Sequence, residues 1–394
     1  MPAISIPIVL FLAPIVVVTT FFGIEVLAGL RPLRKTGGAP NPLTAVIVIP
    51  ANNEEEVIGR TIAQLRRASG DDYRLLVIAD NCSDRTAERA SAAGAEVLVR
   101  TDPERRGKGY ALAAAAESLR SNSPEVVVII DADCRIDRIS LDALTAMASR
   151  TGRAAQAVNL LEPQPAGSAL VQISTFAFAI KNLVRQRGLQ RLARRAHLTG
   201  TGMALPWALF SGANLGGSNI VEDLALGLEL AHRDAAPALV EGATVWSPPA
   251  NAEGTLEQRK RWEGGYLATS LRAAPKLFAK SLAKGDLRGL IGALDLSIPP
   301  LALLVLVNLL ALVGTCVIAL LDGPIWPLLV QLASGALAGV ALLLAWEREG
   351  RRFVSAGTLL RLPLYLLWKL PMYFGLFRRG APKEWLRSGR QPRT

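Results

Sequence analysis

The sequence predicts an α/β domain with a parallel sheet, flanked by transmembrane and interfacial helices. Three observations predict it. Apolar runs long enough for a bilayer lie at both ends of the 394-residue chain, and charged residues fill the middle. In the middle, near-continuously apolar runs alternate with helical stretches, the mark of a parallel sheet covered on both faces. Three of those runs end in polar groups, at the strand ends where open α/β sheets bind ligands.

The elements follow in order. Ile4 to Leu30 carries Glu25 as its one charge and exceeds the roughly 20 residues a span needs. It lacks a basic n-region and a cleavage site, so it reads as a membrane span, not a signal peptide. Arg31, Arg34 and Lys35 follow it and place the middle of the chain on the cytoplasmic side. Ala45 to Ile49, Leu75 to Ile78, Ala95 to Val99 and Val126 to Ile130 read as strands. Helices are expected over Glu54 to Ala68, with acidic residues at the favourable end of the dipole, over Thr86 to Ala93, and over Tyr110 to Leu119. Ser168 to Arg195 reads as one or two basic amphipathic helices at a membrane surface, with Arg185, Arg187, Arg191, Arg194 and Arg195 supplying charge; a plain solvated face is the alternative. Tyr266 to Leu282 reads as a second such helix.

Leu301 to Leu321 and Ile325 to Trp346 form a membrane hairpin around Asp322-Gly323-Pro324. Thr358 to Phe377 contains Arg361, Lys369, Pro363 and Pro371, and a basic tail with Arg387 and Arg390 follows. It reads as in-plane or re-entrant, because spanning would put that tail outside. The expected organisation is a transmembrane helix over 1–30, a cytoplasmic domain over 43–285, a hairpin with interfacial or re-entrant helices over 286–377, and a basic cytoplasmic tail over 378–394. The net charge of +11 is thus largely juxtamembrane, which suits anionic lipid better than nucleic acid. Cys82, Cys134 and Cys316 have neither ligand spacing nor an obvious disulfide partner, and with only His197 and His232 a zinc site is not expected. No G-x-G-x-x-G or Walker A stretch is present, which removes the main support for a nicotinamide or P-loop reading.

The polar strand ends are Asn52-Asn53-Glu54, Asp80-Asn81-Cys82-Ser83-Asp84 and Asp131-Ala132-Asp133. In an extended chain Asp131 and Asp133 point to one side and could share a ligand. Hard oxygen donors with no nitrogen or sulfur beside them suit Mg²⁺ or Mn²⁺ held together with substrate phosphates and water. The plain alternative for a lone D-x-D is a helix cap or a solvated turn. Arg106-Gly107-Lys108-Gly109 is a small basic turn suited to phosphate, as are many surface turns.

The ordered motifs carry a resemblance. IPANNEE (Ile49 to Glu55), ADNCSD (Ala79 to Asp84), DAD (Asp131 to Asp133), Val221-Glu222-Asp223 and Gln258-Arg259-Lys260-Arg261-Trp262 stand in the order of the family 2 glycosyltransferases with membrane segments. That group includes the cellulose, chitin and hyaluronan synthases and the ceramide glucosyltransferases. The similarity covers about residues 43–270. It implies a GT-A-like nucleotide-sugar-binding domain with a mixed, mostly parallel sheet. It implies that Glu54 and Asp80 hold the base and ribose of the donor, that Lys108 and Asp131 contact the donor, and that Asp133 binds the metal. Asp223 would be the general base. Gln258, Arg261 and Trp262 would serve the acceptor end and the diphosphate, and Thr201, in Thr199-Gly200-Thr201-Gly202-Met203, the acceptor loop. Asn52 departs from the family's aromatic or His, and Ala79, Asn81 and Cys82 depart from its D, G and S; these departures bear on base selection.

The chemistry also stands on the residues. Leaving-group charge is neutralised by a divalent ion with Lys or Arg, and a carboxylate on the opposite face of the sugar activates the acceptor hydroxyl. A single displacement inverts the anomeric centre. Without the resemblance, Glu222-Asp223 would equally serve as acidic residues opening a helix, and Arg259 and Lys260 as a membrane-surface charge cluster. The expected partners are a nucleoside diphosphate sugar (UDP-sugar first), a polysaccharide or lipid acceptor, the membrane, and a second subunit or homo-oligomer. Extension of a secreted polysaccharide is the leading reading, and a single transfer to a lipid is the alternative within the enzyme class. A membrane-anchored nucleotide or lipid binder without chemistry is the alternative of another class. Nucleic acid is not expected, because the aromatic residues lie mostly in the membrane segments.

Overall fold

The computed structural model describes residues 2–34, 44–216, 221–248 and 252–380. The chain divides into two compact units. One comprises Pro32–Glu162 and Arg195–Gly254; the other comprises Met1–Arg31, Pro163–Arg194 and Thr255–Ala381. Residues 163–194 and 255–285 fall in the second of these units with its long apolar helices, where their apolar and charged side chains find partners. Residues 381–394 of the basic tail lie outside the described residues.

The first unit is built on an eight-stranded sheet. Its strands are β1 (Ala45–Ala51), β2 (Tyr73–Asp80), β3 (Glu96–Arg100), β4 (Val126–Ile129), β5 (Arg135–Ile136), β6 (Ala155–Leu161), β7 (Met203–Pro206) and β8 (Ala238–Ser247). The order is β3-β2-β1-β4-β7-β6-β8-β5. β1, β2, β3 and β4 pair in parallel, as do β6 and β8, while β7 runs antiparallel between β4 and β6. Alternate residues of the parallel strands feed two separate cores. Ile47, Ile49, Leu75, Val77, Val126 and Val128 pack with Ile58, Ile62, Leu141 and Leu144. Val46, Val48, Leu76, Ile78, Val127 and Ile129 pack with Leu112, Leu119, Leu205 and Phe210. Both faces are buried, which is why these strands read as unbroken apolar runs. Truncating a fully buried residue such as Ile47 to Ala costs about 2–5 kcal/mol.

Two local expectations change. The first helix is Ile58–Ser69 rather than one starting at Glu54. Residues 54–57 form a turn, because the Glu54 N–H donates to Thr86 Oγ1 (2.7 Å) and the Glu55 N–H to Asp84 Oδ2 (3.1 Å). These bonds tie that stretch to the next loop. Asp131–Cys134 is also a turn, closed by the Cys134 N–H on Asp131 O at 3.0 Å, so the extended-chain argument for Asp131 and Asp133 does not describe it.

In the second unit, among the described residues, three helices are long and apolar enough to cross a membrane: Pro7–Gly29, Leu301–Leu320 and Trp326–Gly350. Polar side chains link them. Asn308 Nδ2 donates to Thr19 Oγ1 (2.9 Å), and Gln331 Nε2 donates to Asn308 Oδ1 (2.8 Å). The Leu362–Arg379 helix contains Pro371 and is not among the three. Lys369 on it is fully buried, donating to Glu263 Oε1 at 2.5 Å, and Tyr373 donates to Glu263 Oε2 at 2.8 Å. The expected helix over Tyr266 to Leu282 is the later part of one continuous helix, Ala252–Lys284.

The expected basic amphipathic stretch is the Ala169–Ala179 helix, a π-turn Ile180–Arg185 and the Gln186–Ala193 helix. Its arginines do not all face lipid or water. Arg185 donates to Glu25 Oε2 and Asp295 Oδ1, each at 2.7 Å. Arg187 donates to Glu349 Oε1 at 2.6 Å, and Arg191 to the carbonyls of Ala28 and Arg31. Carboxylates far away in sequence make burial of these cations tolerable. Gly29 lies against the Val184 carbonyl and Gly188 against the Glu25 carbonyl, so near that a Cβ at either glycine has no room; small residues permit such approach of membrane helices. Arg259, read as surface charge, is likewise buried. It donates to Ser174 Oγ (2.7 Å) and lies 5.2 Å from the ring centroids of Phe178 and Trp262.

Candidate active site

The carboxyl ends of β1, β2 and β4 and the start of the Lys108–Ser118 helix form the site. At the ends of β1 and β2, Asn53 and Asn81 take φ of 54° and 51°. Asn is among the few residues with a side chain that adopt this left-handed region readily. Asn81 therefore meets the backbone demand at the position where the resembled family has glycine. Asn52 Nδ2 donates to Asp80 O (2.7 Å) and Asn81 O (3.1 Å), and the Ser83 N–H donates to Asn53 Oδ1 (2.7 Å). The two strand ends are thereby locked into one platform.

Asp80 is 2% exposed. Arg100, at the end of β3, donates to its Oδ1 at 2.5 Å, to Asp102 Oδ2 at 2.9 Å and to Arg105 O at 2.8 Å. The guanidinium lies 5.6 Å from the Tyr110 ring centroid. Sequence reading singled out Asp80 and missed Arg100, whose only signal was a cation directly after an apolar strand.

The centre of the site is Lys108. Its ammonium donates to the Asp131 carboxylate and, at 2.6 Å, to Gly200 O. Asp131 is set by its own backbone, since its N–H donates to Thr201 Oγ1 at 3.1 Å. Antiparallel β7, with Met203 opposite Ile129, brings residues 199–202 beside Asp131. Gly200 has φ +84°, and a Cβ there would lie 3.3 Å from Asp223 Oδ2 and 3.5 Å from Lys108 Nζ. Asp223, in the first turn of the Glu222–His232 helix, accepts the Leu224 N–H on Oδ1 at 2.8 Å. Its other oxygen lies against Gly200.

Charge is concentrated here. Burial alone would lower the Lys108 pKa, but Asp131, Glu222 and Asp223 outweigh it and push it up to about 12. Glu222 is pushed up to about 8, first by burial and then by the Asp223 carboxylate, with Lys108 pulling the other way. Burial, then Asp133 and Asp131, push the Cys134 thiol well above its ordinary range, so it stays a thiol at neutral pH.

Behind the 199–202 loop, fully buried Gln156 on β6 donates to Thr201 O (2.9 Å) and accepts the Thr199 N–H (3.0 Å). Asn159 Nδ2 donates to Thr199 O at 3.2 Å. Both were missed, because β6 was not recognised as a strand. Thr201 is itself 2% exposed, and its hydroxyl and carbonyl are used to position Asp131 and the loop.

The structure thus brings Lys108, Asp131, Thr201 and Asp223 together, with Asp133 two residues on in the Asp131–Cys134 turn. Glu54 and Asp80 lie at the adjoining ends of β1 and β2. Gln258, Arg261 and Trp262 belong to the second unit, on the Ala252–Lys284 helix. All three are half-buried there, and the Trp262 ring lies 5.6 Å from that of Phe178.

Known proteins resemble this chain in both sequence and fold. A low-salt glycan biosynthesis hexosyltransferase of Haloferax volcanii is 36% identical over 117 residues, 29% of this chain and 27% of that protein. An uncharacterized glycosyltransferase of Mycobacterium tuberculosis is 36% identical over 100 residues, 25% of this chain and 41% of that protein. The matched stretch thus spans less than half the length of these curated relatives. Among solved structures, the mannosyltransferase PcManGT from Pyrobaculum calidifontis, in complex with GDP-Man and Mn²⁺, aligns over 91% of this chain and 99% of its own. The TM-score is 0.53 at 17% sequence identity, a likeness of fold. The pattern of the family described as Glycosyltransferase like family 2 matches residues 40–265, well over half of the chain. With its mixed, mostly parallel GT-A-like sheet and its carboxylates at the strand ends, the chain belongs to glycosyltransferase-like family 2.

Proposed function

We propose that this chain is an inverting, metal-dependent hexosyltransferase. It moves a sugar from a nucleoside diphosphate sugar, UDP-sugar first, to a growing polysaccharide at the cytoplasmic face of the cell membrane. The observation that carries this reading is the meeting of Lys108, Asp131 and Asp223 around Gly200. It supplies a cation, a donor-binding carboxylate and a base at one strand edge. Glu54 and Asp80 hold the base and ribose. Lys108 sets a positive charge, retained at neutral pH, beside the departing diphosphate. Asp223 accepts the proton of the acceptor hydroxyl as its oxygen bonds to the anomeric carbon. The bond from that carbon to the diphosphate oxygen breaks, and its electron pair leaves with the nucleoside diphosphate. Attack from the opposite face turns an α-linked donor into a β-linked product. Gln258, Arg261 and Trp262 serve the acceptor and the diphosphate.

The residues fit Mg²⁺ or Mn²⁺. Asp133 and Asp131 offer hard oxygens, and the neighbouring Cys134 remains a thiol. Among the described residues no group of three His, Cys, Asp or Glu side chains is placed to hold a metal ion. Coordination is therefore left to the diphosphate and water, as these ions prefer. When bound, the ion neutralises charge on the leaving group.

The test is nucleoside diphosphate release from a panel of UDP-sugars and GDP-mannose, in lipid, with and without EDTA, followed by sizing of the product. EDTA-sensitive release with a large β-linked product is expected. An α-linked product from an α-linked donor rules out inversion. A second reading, a single transfer to a lipid acceptor, is favoured by the three candidate spans among the described residues. Three spans are few for a polymer channel, so polymer export would call for a second subunit or an oligomer. A small product that extracts into organic solvent would decide for the lipid acceptor.

A further inference from the structure

The second unit carries a groove of about 620 Å³ between the Ala252–Lys284 and Leu362–Arg379 helices. Leu256, Pro371, Phe374 and Gly375 give it apolar walls, and Glu257, Lys260 and Arg378 supply its charges. Among the described residues neither Lys260 nor Arg378 has an ion-pair partner. A Cβ at Gly375 would meet nothing within 4 Å, so the space above this glycine is open.

The groove continues an exposed apolar stripe. Leu364, Leu367 and Phe374 are 63%, 60% and 67% exposed, and with Pro371 and Arg378 they recur at helical spacing on one face. From Leu364 to Phe374 the helix advances about 15 Å at 1.5 Å per residue, half of the roughly 30 Å hydrocarbon core of a bilayer. An apolar surface long enough to lie beside much of an acyl chain therefore leads to a charged end. Two cations against one carboxylate leave that end with a single net positive charge.

We propose that this groove is a binding site for one anionic phospholipid of the bilayer. An acyl chain lies along Leu364, Leu367 and Phe374, and the headgroup phosphate lies between Lys260 and Arg378. A soluble phosphate would have no use for the stripe, and a zwitterionic lipid would gain nothing from the net charge. The three membrane-length helices of the same unit make bilayer lipid the available occupant. The inference is independent of which sugar is transferred and to what.

The test uses the purified full chain, stripped of lipid and incubated with equimolar phosphatidylglycerol and phosphatidylcholine vesicles, with retained lipid counted by native mass spectrometry. The wild type is expected to retain one phosphatidylglycerol, about tenfold over phosphatidylcholine. Lys260→Gln/Arg378→Gln should abolish the preference. Gly375→Trp, which keeps both cations and fills the groove, should abolish retention itself. Lys280→Gln, an exposed lysine on the same helix outside the groove, should behave as wild type. The two groove variants are independent, so one that fails to fold leaves the other to decide. Equal retention of the two lipids by the wild type overturns the proposal. So does wild-type retention by Gly375→Trp, or a loss in Lys280→Gln equal to that in the double variant.

Discussion

Lys108 and Gly200 lie 92 positions apart, and the Lys108 ammonium donates to the Gly200 carbonyl at 2.6 Å. This contact joins the two halves of the site. Lys108 comes from the helix that follows β3, and Gly200 from the loop that enters β7. The lysine's second bond, to Asp131, fixes where its charge sits relative to the D-x-D turn. Replacing Lys108 with Met removes both bonds and the cation. Nucleoside diphosphate release is expected to fall about 10²–10³-fold, the usual effect of removing one preorganised charge-stabilising donor. A single-turnover assay with saturating donor measures it.

Gly200→Ala addresses the same contact from the other side. The φ of +84° disfavours any side chain, and the new methyl would lie 3.3 Å from Asp223 Oδ2. The expected outcome is a destabilisation of about 1–2 kcal/mol, read as a lower thermal midpoint, together with a loss of turnover beyond what that midpoint explains.

Asp223→Asn separates enzyme from binder. On the proposed mechanism the substitution removes the base and should lower turnover about 10²–10⁴-fold while the donor still binds, as measured by calorimetric titration of the nucleotide. Unchanged turnover would remove Asp223 from the mechanism.

Arg100→Met leaves the carboxylate of Asp80, which is 2% exposed, without its guanidinium. Breaking such a buried pair costs about 3 kcal/mol. Chemical denaturation should show the loss, and the donor KM should rise if Asp80 holds the nucleotide as proposed.

Glu222 sets a pH dependence. Its folded pKa is pushed up to about 8, above the ordinary 4.5, so between those values the folded state binds more protons than the unfolded. Stability therefore falls as pH rises through that window. The wild-type thermal midpoint should drop between pH 5.5 and pH 8.5, and Glu222→Gln should remove most of that drop. A parallel drop in the variant would assign the effect to other groups.

The legible part of the fold was the part whose residues obey one demand. β1, β2 and β4 are buried on both faces, so apolar residues run nearly to the strand ends, where Asp80 closes β2 and Asp131 stands just past β4. β6 and β8 escaped notice because they serve two demands: β6 carries Gln156 and Asn159 to hold the 199–202 loop, and β8 passes through Glu241 and Gly242. Asp131 and Asp133 were legible as chemistry and not as geometry, since a closing hydrogen bond from Cys134 turns the chain there. Arg185, Arg187 and Arg259 suggested a lipid-facing charged surface. Their partners Glu25, Asp295, Glu349 and Ser174 lie tens to well over a hundred positions away, and local pattern carries no trace of such pairings.

The Arg185 bridge also bears on biogenesis. Glu25 lies in the Pro7–Gly29 helix and is made before its guanidinium partner, which follows 160 residues later. Asp295, which shares that guanidinium, comes 110 residues after Arg185. Until Arg185 is made, the Pro7–Gly29 helix carries an uncompensated carboxyl, which is costly within a bilayer. Asp295 lies ahead of the Leu301–Leu320 and Trp326–Gly350 helices, so the guanidinium gains its second carboxylate before those helices are made. A chain halted before residue 295 should leave Arg185 with one of its two carboxylates.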